Sequence, residues 1–295
     1  MEEDCVIKNK TLILPNKIKK NMNYRYLGED IKVKDKVFFA GHKLRPQDIG
    51  VLYSLGIKMI KVCSQLKVGV FSCGDELSNI GRPLKKGSIY DSNRIMLINF
   101  LVKLNYKVQD LGILKDNKDY IDKKLHKASN NNDFIITSGG MSLGDEDHIK
   151  PLIEKKGVMH VWRLAMKPGR PVGFGIFNKT PILGLPGNPA AAFVTFLMLG
   201  IPILKQMSGQ KLLKNNYIPI KVNFEHKKKT GRKEFLRVKV SYKDNNLILN
   251  KFHKEGAGIL SSASWASGLG IIDDNLTEVK KQDTINYISL NELLS

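Results

Sequence analysis

The sequence predicts an α/β fold, with a doubly wound, mostly parallel sheet in the centre and a small all-β, barrel-like domain after it. Three observations predict this. From residue 66 to 211, short apolar runs alternate with stretches of helical periodicity, the β-α-β-α texture of a parallel sheet. The polar, glycine-bearing loops of that segment nearly all follow strands, where open α/β sheets bind their ligands. After Gly209 helical periodicity is absent until the last few residues, and strand-length runs separated by turns replace it.

The elements follow in order. Residues 1–65 read as an N-terminal region, irregular at first, with apolar runs at Thr11–Leu14 and Val37–Ala40. A short helix is expected from Pro46, a residue whose missing N–H costs nothing at a helix start, to Leu55, with Gly56 closing it. A strand is expected over Met59–Cys63. The central domain, 66–211, opens with a Val- and Phe-rich strand, Lys67–Ser72, followed by a helix from Asn93 to Asn105 and a strand over Lys107–Leu111. A helix over Tyr120–Asn130, a strand over Asp133–Thr137 and a helix over His148–Lys156 come next. Strands over Val158–Leu164, Val172–Ile176 and Pro181–Leu183 precede a long apolar helix, Pro189–Met207. In the last domain, 212–295, strands are expected over Tyr217–Phe224, Glu234–Tyr242, Leu247–Lys251 and from Ile271, with Asp244-Asn245-Asn246 as a hairpin turn.

Composition narrows the function classes. The 295 residues are 42% hydrophobic and 26% charged, ordinary for a globular chain. The net charge is +20, yet only 8 of the 48 basic residues are arginine, and Asn and Ile are abundant. That is the drift of AT-rich coding sequence. The densest basic run, His226–Lys233, holds no aromatic residue and reads as a solvated turn between strands. Nucleic-acid sites cluster Arg and interleave aromatics, so no nucleic-acid partner is expected, while an anionic small molecule stays compatible. Cys5, Cys63 and Cys73 are odd in number and form no C-x-x-C pair, which argues for a reducing compartment. No two of the six histidines are spaced as H-x-x-x-H, against zinc. The uncharged stretch Pro181–Leu204 has the length of a membrane span, but Pro186, Gly187 and Pro189 break it. It reads as a loop and a buried helix of about 14 residues. With an acidic Met-Glu-Glu-Asp start unlike a signal peptide, no membrane partner and a cytoplasmic location are expected.

Five loops carry the chemistry. Gly74-Asp75-Glu76 follows the first central strand. Tyr90-Asp91-Ser92-Asn93 precedes a helix, as an N-cap or as an anion-facing helix start. Thr137-Ser138-Gly139-Gly140-Met141-Ser142-Leu143-Gly144-Asp145-Glu146-Asp147 brings glycines that let backbone N–H groups approach a phosphate, two serine hydroxyls, and three carboxylates. Carboxylates beside a phosphate suit Mg²⁺. Lys167-Pro168-Gly169-Arg170-Pro171 stiffens a loop bearing two cations, and Gly184-Leu185-Pro186-Gly187-Asn188-Pro189 leads into the apolar helix and could turn helix-start amides toward an anion. Each also has a plainer reading as a capped turn. Together they indicate Mg²⁺-assisted chemistry on a phosphorylated or oxyanionic ligand.

The set GDEL (Gly74–Leu77), GSIYDSN (Gly87–Asn93), SGGMSLGDEDH (Ser138–His148), KPGRP (Lys167–Pro171) and GLPGNP (Gly184–Pro189), in that order and spacing, resembles the molybdopterin molybdenumtransferase family. Molybdopterin adenylyltransferases share the middle domain, but the upstream RYLGEDI (Arg25–Ile31) and the downstream β domain resemble the molybdenumtransferases. The resemblance implies a molybdopterin-binding fold and an enzyme that inserts molybdate into adenylylated molybdopterin, with release of AMP and with Mg²⁺ assisting. It places catalytic roles on Glu76, Asp116, Asp147 and Lys167, and the metal on Asp116 and Asp147. Substrate contacts fall on Asp30, Asp91, Ser92, Asn93, Ser138, Gly139, Gly140, Ser142, Gly144, Asp145, Arg163, Arg170, Pro186, Gly187 and Asn188. Arg163 stands where the family often has Lys. Arg232 and Arg237 match basic positions of the β domain, where a Gln-Gly-Ser-Gly pattern reads Glu255-Gly256-Ala257-Gly258. The family pattern extends upstream of Met1, so the chain is expected to be N-terminally truncated. Implied partners are a second copy of the chain and a molybdopterin adenylyltransferase. The alternatives are an adenylyltransferase, or a non-catalytic, degenerate homologue that only binds molybdopterin.

Overall fold

The strand Lys67–Cys73 is buried at every position after Lys67, and a strand buried on both faces needs cover on both faces. In the computed structural model, which describes residues 2–140, 148–211 and 214–295, helices supply that cover. On one face Leu97 and Leu101 of the helix Ser92–Lys103, with Phe193, Phe196 and Leu197, pack against Val68, Val70, Phe134 and Ile136. On the other, Ile121 and Leu125 of Lys118–Asn131 and Ile149, Leu152 and Ile153 of Ile149–Lys156 pack against Phe71, Ile135 and Ile182. The doubly wound arrangement read from the sequence is present.

From edge to edge this sheet runs Lys107–Leu114, Lys67–Cys73, Phe134–Ser138, Thr180–Leu185, Pro171–Phe177, Gly157–Arg163. The first four strands are mutually parallel. The last two join antiparallel, so the sheet is mixed at that side. All four parallel strands therefore end on the same edge, and the loops carrying Gly74, Asp116, Gly139 and Pro186 gather there.

The apolar helix is continuous over Pro189–Met207 but widens to a π-turn at Phe196–Gly200. Pro202 has no N–H to give the Met198 carbonyl, and a wider turn absorbs the missing bond. Long and apolar enough to cross a membrane by composition alone, this helix is mostly buried in the core, as the sequence reading expected.

The C-terminal strands close on themselves. Asn246–Lys251, Ile218–Val222, Thr284–Ser289, Gly268–Ile272 and Lys233–Lys243 follow one another, and the last pairs back to the first. Val222, Val238, Leu249 and Ile272 fill this five-stranded barrel. Asp244 and Asn245, both at positive φ, make its expected hairpin turn. One short strand, Met166–Lys167, leaves the central domain and pairs in parallel with Lys233 and Glu234 on the barrel.

Two expectations are corrected. Residues 59–63 form no strand: Met59 and Val62 are 86% and 69% exposed and have no ladder partner. The helix Ser261–Trp265 was not expected at all; five residues are too few to show a period. Residues 1–44 form a separate compact unit with a hairpin of two exposed strands, Val6–Lys8 and Thr11–Ile13.

Candidate functional site

Two groups of residues meet at the parallel edge. The first is built from the strand-end loops. Asp91 caps the helix Ser92–Lys103 by accepting from the Arg94 N–H at 3.2 Å and also accepts from Ser72 Oγ at 3.0 Å. Its other oxygen takes the Arg94 guanidinium at 2.8 Å, and Arg94 reaches on to Asp110 and Asn79. Both Asp91 and Arg94 are buried. Asn93, next on the helix, points its amide across the edge and donates to Ser138 Oγ at 2.8 Å and to the Gly187 carbonyl at 2.7 Å. One side chain thus ties three loops together, and its Oδ1 is buried without a hydrogen-bond partner among the described residues. Gly139 passes so close to the Cys73 carbonyl that a Cβ there would lie 2.4 Å from it, at a φ of +80°; only glycine fits. Asp116 accepts from Cys73 Sγ at 3.0 Å and from the Asp75 N–H at 3.2 Å, while its own N–H donates to the Asp75 carboxylate at 3.2 Å. Glu76 is exposed on the same loop.

The second group is a pocket of about 300 Å³ between the loops at 166–171 and 186–191 and the barrel. Lys167, Arg170, Arg232, Arg237, Lys251 and Lys254 line it against only two carboxylates, Glu234 and Glu255. Glu234 is buried, with Lys167 Nζ 2.7 Å and His226 Nε2 3.3 Å from its Oε1. Burial pushes the Glu234 carboxyl up, but His226 and Lys167 outweigh it and hold it below the usual range. Arg237 donates to Ser262 Oγ at 3.0 Å and to the Gly256 carbonyl at 3.1 Å, and burial pulls its guanidinium down against the pull of Glu255 and Glu234. Lys167 is joined to Pro168 by a cis peptide bond. Gly169, at φ +106°, sits where a Cβ would strike Thr195 Oγ1, so the cationic loop is seated directly on the apolar helix.

The edge has an excess of cations in the pocket, and hydroxyls, backbone groups and the carboxylates of Asp75, Glu76 and Asp116 along the loops. Such a surface can hold an oxyanion at one end and a polar, flat ligand with a phosphate at the other. Residues 69–206 match the family model described as "Probable molybdopterin binding domain", and residues 219–290 match "MoeA C-terminal region (domain IV)". The chain is 37% identical over 278 residues to the molybdopterin molybdenumtransferase of Haemophilus influenzae, covering 94% of this chain and 69% of that protein. The chain belongs to the molybdopterin molybdenumtransferase family. The family member from Nostoc sp. is 34% identical over 217 residues, 68% of this chain and 50% of that one. A molybdopterin biosynthesis MoeA protein from Pyrococcus horikoshii superposes with a TM-score of 0.75 at 25% identity, over 98% of this chain and 70% of that one. Its likeness carries the same sequence of domains, a mixed α/β layer followed by a barrel.

Within this family frame, the positions expected from the sequence divide cleanly. Asp91, Asn93, Ser138, Gly139 and Gly187 share the loop network, with Ser92 opening its helix and Gly140 following Gly139. Lys167, Arg170, Pro186 and Asn188 share the pocket. Arg163, at the end of its strand, is exposed and does not line it. Asp30 is exposed in the separate unit formed by residues 1–44. Ser142, Gly144, Asp145 and Asp147 lie outside the described residues. The expectation that the Pro189 helix offers its first amides to an anion is corrected. The Ala190 and Ala191 N–H groups both donate to the Ala257 carbonyl, at 2.8 and 3.3 Å, so the barrel occupies them.

Glu234, His226 and Lys251 went unnoticed in the sequence, because His226–Lys233 read as a solvated turn and Glu234 and Lys251 as strand ends. The run in fact begins on a strand, His226–Lys227, with His226 buried, and its Lys228 ammonium donates to the Asp273 and Leu276 carbonyls at 2.9 and 2.8 Å. The one available signal was Glu234 at the head of an apolar strand. Among the described residues no three His, Cys, Asp or Glu side chains converge on a metal position. Asp75 and Asp116 nonetheless face each other across the loop network, and one or two carboxylates are what Mg²⁺ uses when phosphate oxygens and waters complete its shell. Asp116 supplies one carboxylate of that kind, while Asp147 lies outside the described residues.

Proposed function

We propose that this protein inserts molybdate into adenylylated molybdopterin and releases AMP. The observation that carries the reading is the pocket at the parallel edge, in which six cations face two carboxylates. A tetrahedral dianion needs several converging positive donors to leave water, and Lys167, Arg170, Arg232 and Arg237 line one pocket. The neighbouring loops, knitted by Asn93 to Ser138 and Gly187, offer hydroxyls and backbone groups to a pterin and its phosphate. Asp116, with Asp147, would hold Mg²⁺, which would supply neutralising charge at the phosphate. Glu76 is assigned to orienting substrate or water, and Asp30, Arg163, Ser142, Gly144 and Asp145 to substrate contacts. A second copy of the chain as partner, a molybdopterin adenylyltransferase that supplies the substrate, and a cytoplasmic location belong to the same reading.

The test is AMP release from adenylylated molybdopterin, with and without molybdate and Mg²⁺. Molybdate-dependent release is the expected result. Pterin binding without release would replace the reading with a carrier or storage role, and ATP-dependent adenylylation of molybdopterin would replace it with an adenylyltransferase. Light scattering at assay concentration checks the second copy, a monomer being the outcome that removes it.

A further inference from the structure

Glu255 has the wrong charge for a pocket that receives anions, and it stands beside one of the cations that would attract them. Its Oε1 lies 2.6 Å from Lys251 Nζ and 3.6 Å from His226 Nδ1. Hydrogen bonding from Lys251, helped by the charges of Lys251, His226 and Lys167, holds its carboxyl below the usual range, and in return Glu255 supports the charge on Arg237. The second carboxylate, Glu234, is different in kind: its side chain is 4% exposed and built into the floor, whereas that of Glu255 is 59% exposed. The backbone around Glu255 is pinned, since the Gly256 carbonyl accepts from Arg237 and the Ala257 carbonyl accepts from Ala190 and Ala191. Its side chain, however, can turn out to solvent by rotation about its own bonds.

We infer that Glu255 is a resident counter-anion of this pocket, that an entering tetrahedral oxyanion must displace it from Lys251, and that this competition lowers the pocket's oxyanion affinity. The Lys251 side chain is only 21% exposed, so one ammonium faces two claimants from the same side. An exposed ion pair is weak, and displacement is therefore a modest tax on binding and not a barrier to it. Where the family resemblance places glutamine, this chain carries the charged isostere, which makes the substitution back to glutamine a small change in shape and a full change in charge.

The inference rests on the oxyanion reading of the pocket, so the experiment reads binding directly. Molybdate, with tungstate as a second probe, is titrated calorimetrically at fixed ionic strength into the wild-type chain, Glu255→Gln, Lys251→Met and the double variant. Glu255→Gln is expected to tighten binding by about 3- to 5-fold, the worth of an exposed ion pair. In the Lys251→Met background that gain should largely vanish, because the contested ammonium is gone. An unchanged or weakened affinity in Glu255→Gln overturns the inference. So does an equal gain in both backgrounds, which would mean general repulsion and no competition for Lys251. A wild-type chain that releases no AMP and, like Glu255→Gln, binds no oxyanion overturns the proposed function instead. Being a gain of binding at an exposed side chain, the expected result cannot come from misfolding.

Discussion

The strand-end loops and the cationic pocket sit along one edge of the sheet, yet their polar groups are held at different depths. In the loops the ties are short, mostly buried and directional: Asn93 to Ser138 and Gly187, Asp91 to Ser72 and Arg94. In the pocket they are ionic and in part exposed: Lys167 to Glu234, Lys251 to Glu255. Buried hydrogen bonds have one good geometry and fix a shape before a ligand arrives. Ion pairs at the rim tolerate rearrangement and yield to salt and pH. The edge thus joins a preformed half to an adjustable half.

Arg94→Leu should break the comparison most severely. It leaves the Asp91 carboxylate, whose side chain is 1% exposed, without its cation, at a cost of about 3–5 kcal/mol. Calorimetric melting should show a large drop in the denaturation midpoint; a midpoint close to wild type would mean that the preformed half is not held as described. Asn93→Ala comes next, at about 1–3 kcal/mol, because Ser138 and Gly187 both lose their donor. Pterin binding should fall with it. The matching change in the pocket, Arg232→Gln, should leave the melt within about 0.5 kcal/mol, since no hydrogen bond or ion pair engages Arg232 among the described residues. It should nonetheless weaken oxyanion binding by about 10-fold. If Arg232→Gln destabilises the fold as much as Asn93→Ala, the contrast between the halves fails.

The pH response sharpens it further. Glu234 has a carboxyl below its ordinary value of 4.5 when folded. Its stabilisation is therefore fully present above that value and is lost as pH falls from 4.5 through the lower folded value. The melting difference between wild type and Glu234→Gln should be widest near neutrality and should close on acidification; a constant difference would assign the effect to packing. The smallest effect expected is that of salt. Raising ionic strength from about 0.05 to 0.5 M should weaken oxyanion binding a few-fold while leaving the penalty of Arg94→Leu nearly unchanged.

Much of the preformed half was legible in the sequence because its signals are local. Asp91 sits where an N-cap must sit, with Ser92 opening the helix behind it, and the glycines after Ser138 mark a backbone that approaches another closely. The barrel's hairpin was legible for the same reason, in Asp244-Asn245. The pocket was legible only from its central-domain side, through Lys167 and Arg170. Its other wall depends on pairings that the local pattern does not show: His226 is held beside Glu234 from a separate ladder with Glu278–Val279, and the Ala257 carbonyl caps a helix that begins 68 residues earlier. A lysine-rich run with no period hides such meetings. Met59–Cys63 erred in the opposite direction, since apolar residues in strand order become a strand only when an edge is there to receive them.

The two-residue strand Met166–Lys167 belongs by sequence to the central domain and by hydrogen bonding to the barrel. A gene cut near residue 211 would divide what this strand unites. The barrel piece would expose the side of Lys233–Glu234 that Met166–Lys167 covers, an open edge inviting self-association. The other piece would keep Lys167 but lose the carboxylate that aims it. Separately expressed, the halves are expected to be stickier and less exact than the whole, and mixing them should restore solubility before it restores binding. Keeping the two domains in one reading frame keeps Lys167 beside Glu234 and the Pro189 helix start under the Ala257 carbonyl.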